Sequence, residues 1–171
     1  MVISDVFLRG DCWNQVIDAY RDFFADAPQY EIYMLAISIG IMYDKRIDKL
    51  EGELEPHSIG RNVFNTRLGD GKLEFMFQAA IMSTSTVDFD EDTRLKLAFD
   101  DKNTEFNKLS FLTEFANYGV TILKEKIGAT KIETMENLKN FLNSSIEGRN
   151  FDIDALSDDV ILEDFNPDFS E

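Results

Sequence analysis

The chain has 171 residues, with 33 Asp or Glu against 17 Lys or Arg, a formal net charge of −16 at pH 7, 44% hydrophobic residues and 15 Phe. That length suits one domain, or one domain plus a tail, and the apolar fraction excludes a wholly disordered chain. The acidic balance argues against a generic phosphate-backbone binder, which needs clustered Lys and Arg. No run of about 18 uncharged apolar residues is present to span a membrane. No secretory signal is visible, and the single Cys12 excludes an internal disulfide and fits a reducing cytosol.

In chain order, Val2, Ile3, Val6, Phe7 and Leu8 form an apolar cluster that reads as a short strand or an ordered arm. Asp11 is the expected N-cap of a helix over residues 12–25, where Trp13, Val16, Ile17, Tyr20, Phe23 and Phe24 recur as one apolar stripe. Pro28 separates it from the most apolar segment, residues 29–43, which suits a central buried helix, with a buried strand as the alternative. Gly40 there either admits a close neighbour or marks the approach of the helix end.

Residues 44–70 turn charged and carry Gly52, Pro56, Gly60 and Gly69, the pattern of a long loop with a short helix near Ser58–Phe64. A helix over residues 72–83 follows, ended by Ser83-Thr84-Ser85-Thr86. A short helix over 93–99, capped by Asp92, comes next. The longest pattern spans 104–127, with Gly128 as its stop. Thr130 or Thr134 opens a last helix with Ile132, Met135, Leu138, Phe141 and Leu142 on one face. No internal repeat is present and strand-like alternation is scarce. The expected fold is therefore mainly α: a compact bundle of about five helices with a long charged loop and an acidic C-terminal tail.

The charge is uneven. Residues 1–150 hold 25 acidic and 17 basic residues, whereas residues 151–171 hold eight acidic residues and no Lys or Arg. The expected division is a helical domain over 1–148 and an acidic amphipathic tail over 149–171. In the tail, carboxylates alternate with Phe151, Ile153, Leu156, Ile161, Leu162, Phe165 and Phe169. Mutually repelling charges keep such a segment extended while its apolar groups favour a surface to dock on, so these seven are the expected partner-binding residues. A solvated tail that only aids solubility is the plainer alternative.

Sites with recognisable chemistry are few. His57 is the sole histidine, which excludes multi-histidine metal sites, and a nucleophilic Cys12–His57 pair competes with Cys12 as a first-turn helix residue. Asp88, Asp90 and Asp92 alternate like a calcium loop, but Thr93 stands where the turn needs Gly and Phe99 where a bidentate Glu belongs. They read instead as an acidic loop capping a helix near Thr93. Lys45, Arg46 and Arg61, with Lys49 and Arg67, form the densest basic region and a polar contact loop. Asp48, Glu51, Glu53, Glu55 and Asp70 offset them, so local ion pairing competes with phosphate contact. No phosphate cradle, serine-hydrolase turn or acid/base motif is present, so no catalytic residue, metal or cofactor is expected. Phe75, Phe77, Phe106, Phe111 and Phe115 read as core. The total aromatic and Met content nevertheless exceeds what a small bundle hides, which points to an exposed interaction face.

Two segments carry a family resemblance: YMLAISIGIMYDKRID (residues 33–48), and LSFLTEFANYGVTILKE (residues 109–125) with its Glu114-Phe115-Ala116-Asn117-Tyr118-Gly119. Together with the intervening helix, these resemble the small accessory proteins associated with bacterial DNA phosphorothioation (Dnd) defence, over residues of about 30–127. The resemblance implies a small helical, non-enzymatic, cytoplasmic subunit of an anti-phage complex beside a larger ATPase or nuclease partner, and it carries over no catalytic residue. Direct nucleic-acid contact and membrane contact are not expected. The alternative is an acidic nucleic-acid mimic that inhibits a restriction or defence enzyme; the tail's share of the charge counts against it, since a mimic needs carboxylates on a rigid face. Asn117 and Gly119 both disfavour mid-helix positions. Gly119 suits a close helix crossing, Asn117 a hydrogen bond to a neighbouring backbone, and a local bend is the plainer account of both.

Overall fold

The computed structural model describes residues 5–67, 71–100 and 105–147. A strand β1 (Val6–Leu8) leads into α1 (Asp11–Tyr20), extended by a 3₁₀ turn at Arg21–Phe23. Then come α2 (Pro28–Tyr43), β2 (His57–Ile59), α3 (Arg61–Arg67), α4 (Lys72–Ser83), α5 (Glu91–Phe99), α6 (Lys108–Glu125) and α7 (Lys131–Glu147). The described residues thus hold seven helices rather than five. The two shortest, α3 and α5, seven and nine residues long, answer to the short segments expected near Ser58–Phe64 and over 93–99, and counting them as full elements raises the total. The acidic segment 149–171, with Phe151, Ile153, Leu156, Ile161, Leu162, Phe165 and Phe169, lies outside the described residues.

α2 settles its helix-or-strand alternative by length and entry. It is 16 residues long, and Pro28 occupies the first turn, where its missing N–H and fixed φ cost nothing. It is buried on nearly every side, through Tyr30, Ile32, Tyr33, Met34, Ala36, Ile37, Ile39 and Gly40. Its main partner is α6, and the two backbones touch at a reciprocal glycine contact. A Cβ on Gly40 would sit 2.8 Å from Cα of Phe115 and closer still to its carbonyl. A Cβ on Gly119 would sit 2.9 Å from Cα of Ala36, again with the carbonyl nearer. Gly119 is therefore the close-crossing residue, and α6 continues through it without a break.

The other elements pack around this pair. α1 lies on both α2 and α6, while α4 packs on α2, α5 and α6. β1 and β2 form an antiparallel pair in the register Val6–Ile59, Phe7–Ser58, Leu8–His57. Val6, Leu8 and Ile59 point into the core and Phe7 points out, the alternation a two-residue period demands. Asp11 does not cap α1. Gly10 holds the cap position, and the Asp11 carboxylate instead accepts from the Leu54 backbone N–H at 3.1 Å, pinning the charged loop. Asn107 caps α6 by accepting from Ser110 N–H at 3.0 Å. Thr130 caps α7 by accepting from Glu133 N–H at 3.1 Å, and Glu133 reaches back to Ala129 N–H at 2.7 Å.

Two expectations about apolar faces are corrected. Phe75 is not core: it is 69% exposed, while Phe77, two residues on and on the opposite side of the helix, is fully buried. On α7, the inward side runs through buried Thr134, then Leu138 and Phe141 at four- and three-residue steps. That rotation turns Ile132 and Met135 to solvent, so the expected face is split.

Ala at position 40 or 119 forces the helix backbones apart, and each substitution is expected to cost about 3 kcal/mol or more. Gly71 has a φ of +69° but open space around its Cβ position. Gly71→Ala should therefore cost only about 1 kcal/mol, from the left-handed backbone alone. Trp13, the sole tryptophan and fully buried, reports both by the urea midpoint of its fluorescence. Equal losses at the three positions would contradict the crossing.

Candidate functional site

The chain leaves α2 at Asp44, which has a left-handed backbone (φ 49°) that Asp tolerates better than most residues. This turn lays residues 45–48 along α6, where Ile47 N–H donates to Glu114 O at 2.9 Å. Asn117 fixes the same strand of chain to the core. Its amide donates to Ile47 O at 3.0 Å and Asp48 O at 3.1 Å, while its carbonyl accepts from Trp13 Nε1 at 3.0 Å. One buried side chain thus joins α1, α6 and the post-α2 loop. That is the neighbouring-backbone role, and the plainer account, a bend, does not apply.

Around this junction a polar cluster assembles from three distant segments. Asp44 accepts from the Thr84 hydroxyl at 2.5 Å, Ser85 N–H at 2.8 Å and the Ser85 hydroxyl at 2.5 Å. Burial works to raise its pKa, but the bonds from Ser85 and Thr84, with the nearby Arg46 charge, outweigh it and hold the carboxyl below its ordinary value. Arg46 donates through Nη1 to Glu114 at 2.8 Å, through Nε to the Thr86 hydroxyl at 2.7 Å and through Nη2 to Thr86 O at 3.0 Å. Its guanidinium also lies 5.0 Å from the Phe111 ring centre and 5.8 Å from that of Phe115. The Ser-Thr run that ends α4 is therefore gripped from both sides.

Arg94 secures the far end of the same loop. It donates to Ile81 O at 2.6 Å, Val87 O at 2.9 Å and Phe89 O at 3.0 Å. Between this loop and the start of α6 lies a cavity of about 260 Å³ lined by Val87, Phe89, Phe106, Phe111, Asn107 and Ser110, with Arg46 and Glu114 beside them. The rings brace one another, Phe106 against Phe111 at 5.5 Å and against Phe89 at 6.2 Å. Lys108 closes one flank through Glu74 at 2.7 Å, its ammonium 4.7 Å from the Phe77 ring centre.

The other sequence candidates fall elsewhere. Arg46 belongs to the cluster. Lys45 is exposed over the Tyr118 ring at 5.4 Å, and Arg61 opens α3, its backbone N–H donating to Asp5 at 2.7 Å. The basic loop is thus not one contact surface. Among the described residues its cations pair with Glu114 and Glu31, from other elements, and not with the acids of the loop itself. Cys12 and His57 take separate partners, Val120 O at 3.5 Å and Gln29 Nε2 at 3.2 Å, and burial pushes the Cys12 thiol up, away from nucleophilic use. Asp90, not Asp92, caps α5, accepting from Thr93 N–H at 2.7 Å. No group of three or more metal-ligating side chains gathers among the described residues, and no helix among them is long and apolar enough to cross a membrane. Compared with protein-family models, with curated proteins and with solved structures, the chain matches none.

Two consequences are measurable. Asn117→Ala strands the Trp13 indole and two carbonyls and is expected to cost about 3 kcal/mol, with a shifted Trp13 emission. Asp44 has a folded pKa below its unfolded one. Its contribution to stability is therefore present above the ordinary carboxylate range and is lost as pH falls through the lowered value. The gap in unfolding midpoint between wild type and Asp44→Asn should narrow from neutral to acid pH; a constant gap would contradict this assignment.

Proposed function

We propose that the chain is a non-enzymatic accessory subunit of a cytoplasmic bacterial anti-phage complex, docking on a larger ATPase or nuclease partner. The observation that carries this reading is an apolar face on the α4–α5 hairpin. The two helices run antiparallel: Arg94 in the first turn of α5 reaches Ile81 late in α4, and Gln78 donates to Ala98 O near the end of α5 at 3.3 Å. Leu73, Phe77, Ala80, Ile81, Leu97 and Ala98 turn inward. Phe75 and Met82, seven residues apart on α4, are 69% and 40% exposed; Leu95 and Phe99, four apart on α5, are 41% and 63% exposed. Large side chains at helical spacing on two adjacent helices are what a partner's apolar surface needs, and a lone domain has no use for leaving them in water.

The resemblance of residues 33–48 and 109–125 to Dnd accessory proteins supports the defence setting. The polar cluster supports a structural role, since Asp44 and Arg94 are spent on hydroxyls and carbonyls of one loop. The tail over 149–171 supplies a second contact through its interleaved Phe, Ile and Leu side chains.

Phe75→Ser and Phe99→Ser, being at solvent-exposed positions, should leave the circular dichroism spectrum unchanged. Each should weaken co-purification with the partner, by about 2 kcal/mol or thirtyfold in Kd if it anchors the interface. Deleting residues 151–171 should leave the domain folded and also weaken co-purification. Full binding by the double Phe variant would sink the docking face. Displacement of duplex DNA from a defence nuclease by that same variant would point instead to a nucleic-acid mimic.

A further inference from the structure

The cavity between residues 84–90 and the first turns of α6 has features that the docking reading does not use. It is walled by the rings of Phe89, Phe106 and Phe111, which hold one another in place at centroid separations of 5.5–6.2 Å. This partly open cavity of about 260 Å³ with aromatic walls has room for one small aromatic ring. Its polar side is the Arg46–Glu114 pair. Arg46 has five N–H donors, of which one at each nitrogen is engaged, leaving one on Nη1 and one on Nη2. Glu114 binds Arg46 through Oε2, and its Oε1 accepts no hydrogen bond from the described residues. Two residues that line the cavity therefore keep hydrogen-bonding capacity, donors on Arg46 and an acceptor on Glu114. The Ser110 hydroxyl lies on the rim.

We propose that this cavity binds an uncharged flat heteroaromatic ring whose edge carries a carbonyl next to a ring N–H, the lactam edge of guanine or uracil. The ring packs among the three Phe side chains, its carbonyl accepts from Arg46 and its N–H donates to Glu114. The pairing is selective because a ring lacking either group leaves a partly buried polar atom without a partner. The surroundings select against anions. Of the cations nearby, Arg46 is paired with Glu114, Lys108 with Glu74, and Arg94 is taken up by loop carbonyls, while Asp88 and Asp90 flank Phe89 and Glu105 precedes Phe106. A free nucleoside fits this field and a nucleotide or polynucleotide does not. This reading is independent of the docking face, because the cavity and the exposed α4–α5 stripes use different residues.

The test is titration of the full chain with nucleosides, read by NMR chemical-shift changes or calorimetry. Guanosine and uridine should bind, and adenosine, which has no carbonyl beside a ring N–H, should bind at least about tenfold more weakly. Guanosine monophosphate should bind more weakly than guanosine at low salt, the difference shrinking as salt rises. Glu114→Gln should lose guanosine binding by about tenfold while Phe75→Ser leaves it unchanged. The nucleoside series needs no variant, so the proposal stays testable if Glu114→Gln unfolds. Equal affinity for adenosine and guanosine, tighter binding of the monophosphate, or no binding of any nucleoside at millimolar concentration would overturn it. So would capture of a partner peptide's aromatic side chain by the cavity in place of every nucleoside.

Discussion

The reciprocal contact of Gly40 and Gly119 sets the distance between α2 and α6, and the position of every other functional group follows from it. With no Cβ at either crossing point, each helix rests on the carbonyl of the other, at Phe115 and Ala36. Dispersion attraction grows with the number of atoms in contact, so backbones this close gain more from packing than bulky side chains at a wider spacing would give. The entropic cost of two helical glycines, about 1 kcal/mol each, is what this contact must exceed. The close crossing also decides where α2 ends. Its last turn emerges against α6, so the chain after Tyr43 has no course except along the Glu114–Asn117 stretch that bonds to Ile47 and Asp48.

Competing electrostatic terms meet at that exit. Asp44 stands at the C-terminus of α2, where the helix dipole disfavours an anion, and burial disfavours it too. Three hydrogen bonds from Thr84 and Ser85 reverse the balance, because bonds to a carboxylate are roughly twice as strong as neutral ones. Arg94 illustrates the opposite case. Its guanidinium meets no carboxylate among the described residues, yet it sits where the carbonyls of the α4 C-terminus concentrate negative potential. The Thr84–Asp90 loop is therefore held by charge at both ends, with Val87 and Phe89 packed on the core between them. Such a loop holds its shape beside a cavity without filling it.

The helices were legible in the sequence wherever the apolar period ran for two turns or more. α1, α4 and α6 follow from the stripes at Trp13–Tyr20, Leu73–Ile81 and Leu109–Leu123. Gly40 and Gly119 were legible as candidate crossing points, with a helix end and a bend as the alternatives, and only the approach of Phe115 and Ala36 decides between them. What sequence could not supply was partners across distance. Arg46 reads as one cation among neighbouring acids, but its carboxylate lies 68 positions away on α6. Arg94 gives no sequence signal at all, since three backbone carbonyls carry no residue identity. Phe75 and Phe77 are indistinguishable in LEFMFQ, and only the rotation of α4 about its axis exposes one and buries the other.

The net charge bears on what can cover the α4–α5 face. A second copy of the chain would bring another −16 against the first, and the apolar gain of one small patch would have to exceed that repulsion. Salt screens charges beyond roughly 8 Å at physiological ionic strength, which spares distant carboxylates but not those around the contact itself, such as Glu91 and Asp92 at the head of α5. Repulsion of this kind disfavours pairing of two copies through the face. It also makes the face selective. On the accessory-subunit reading, an apolar groove edged by Lys and Arg gains both terms at once, and an acidic or neutral one gains only the first.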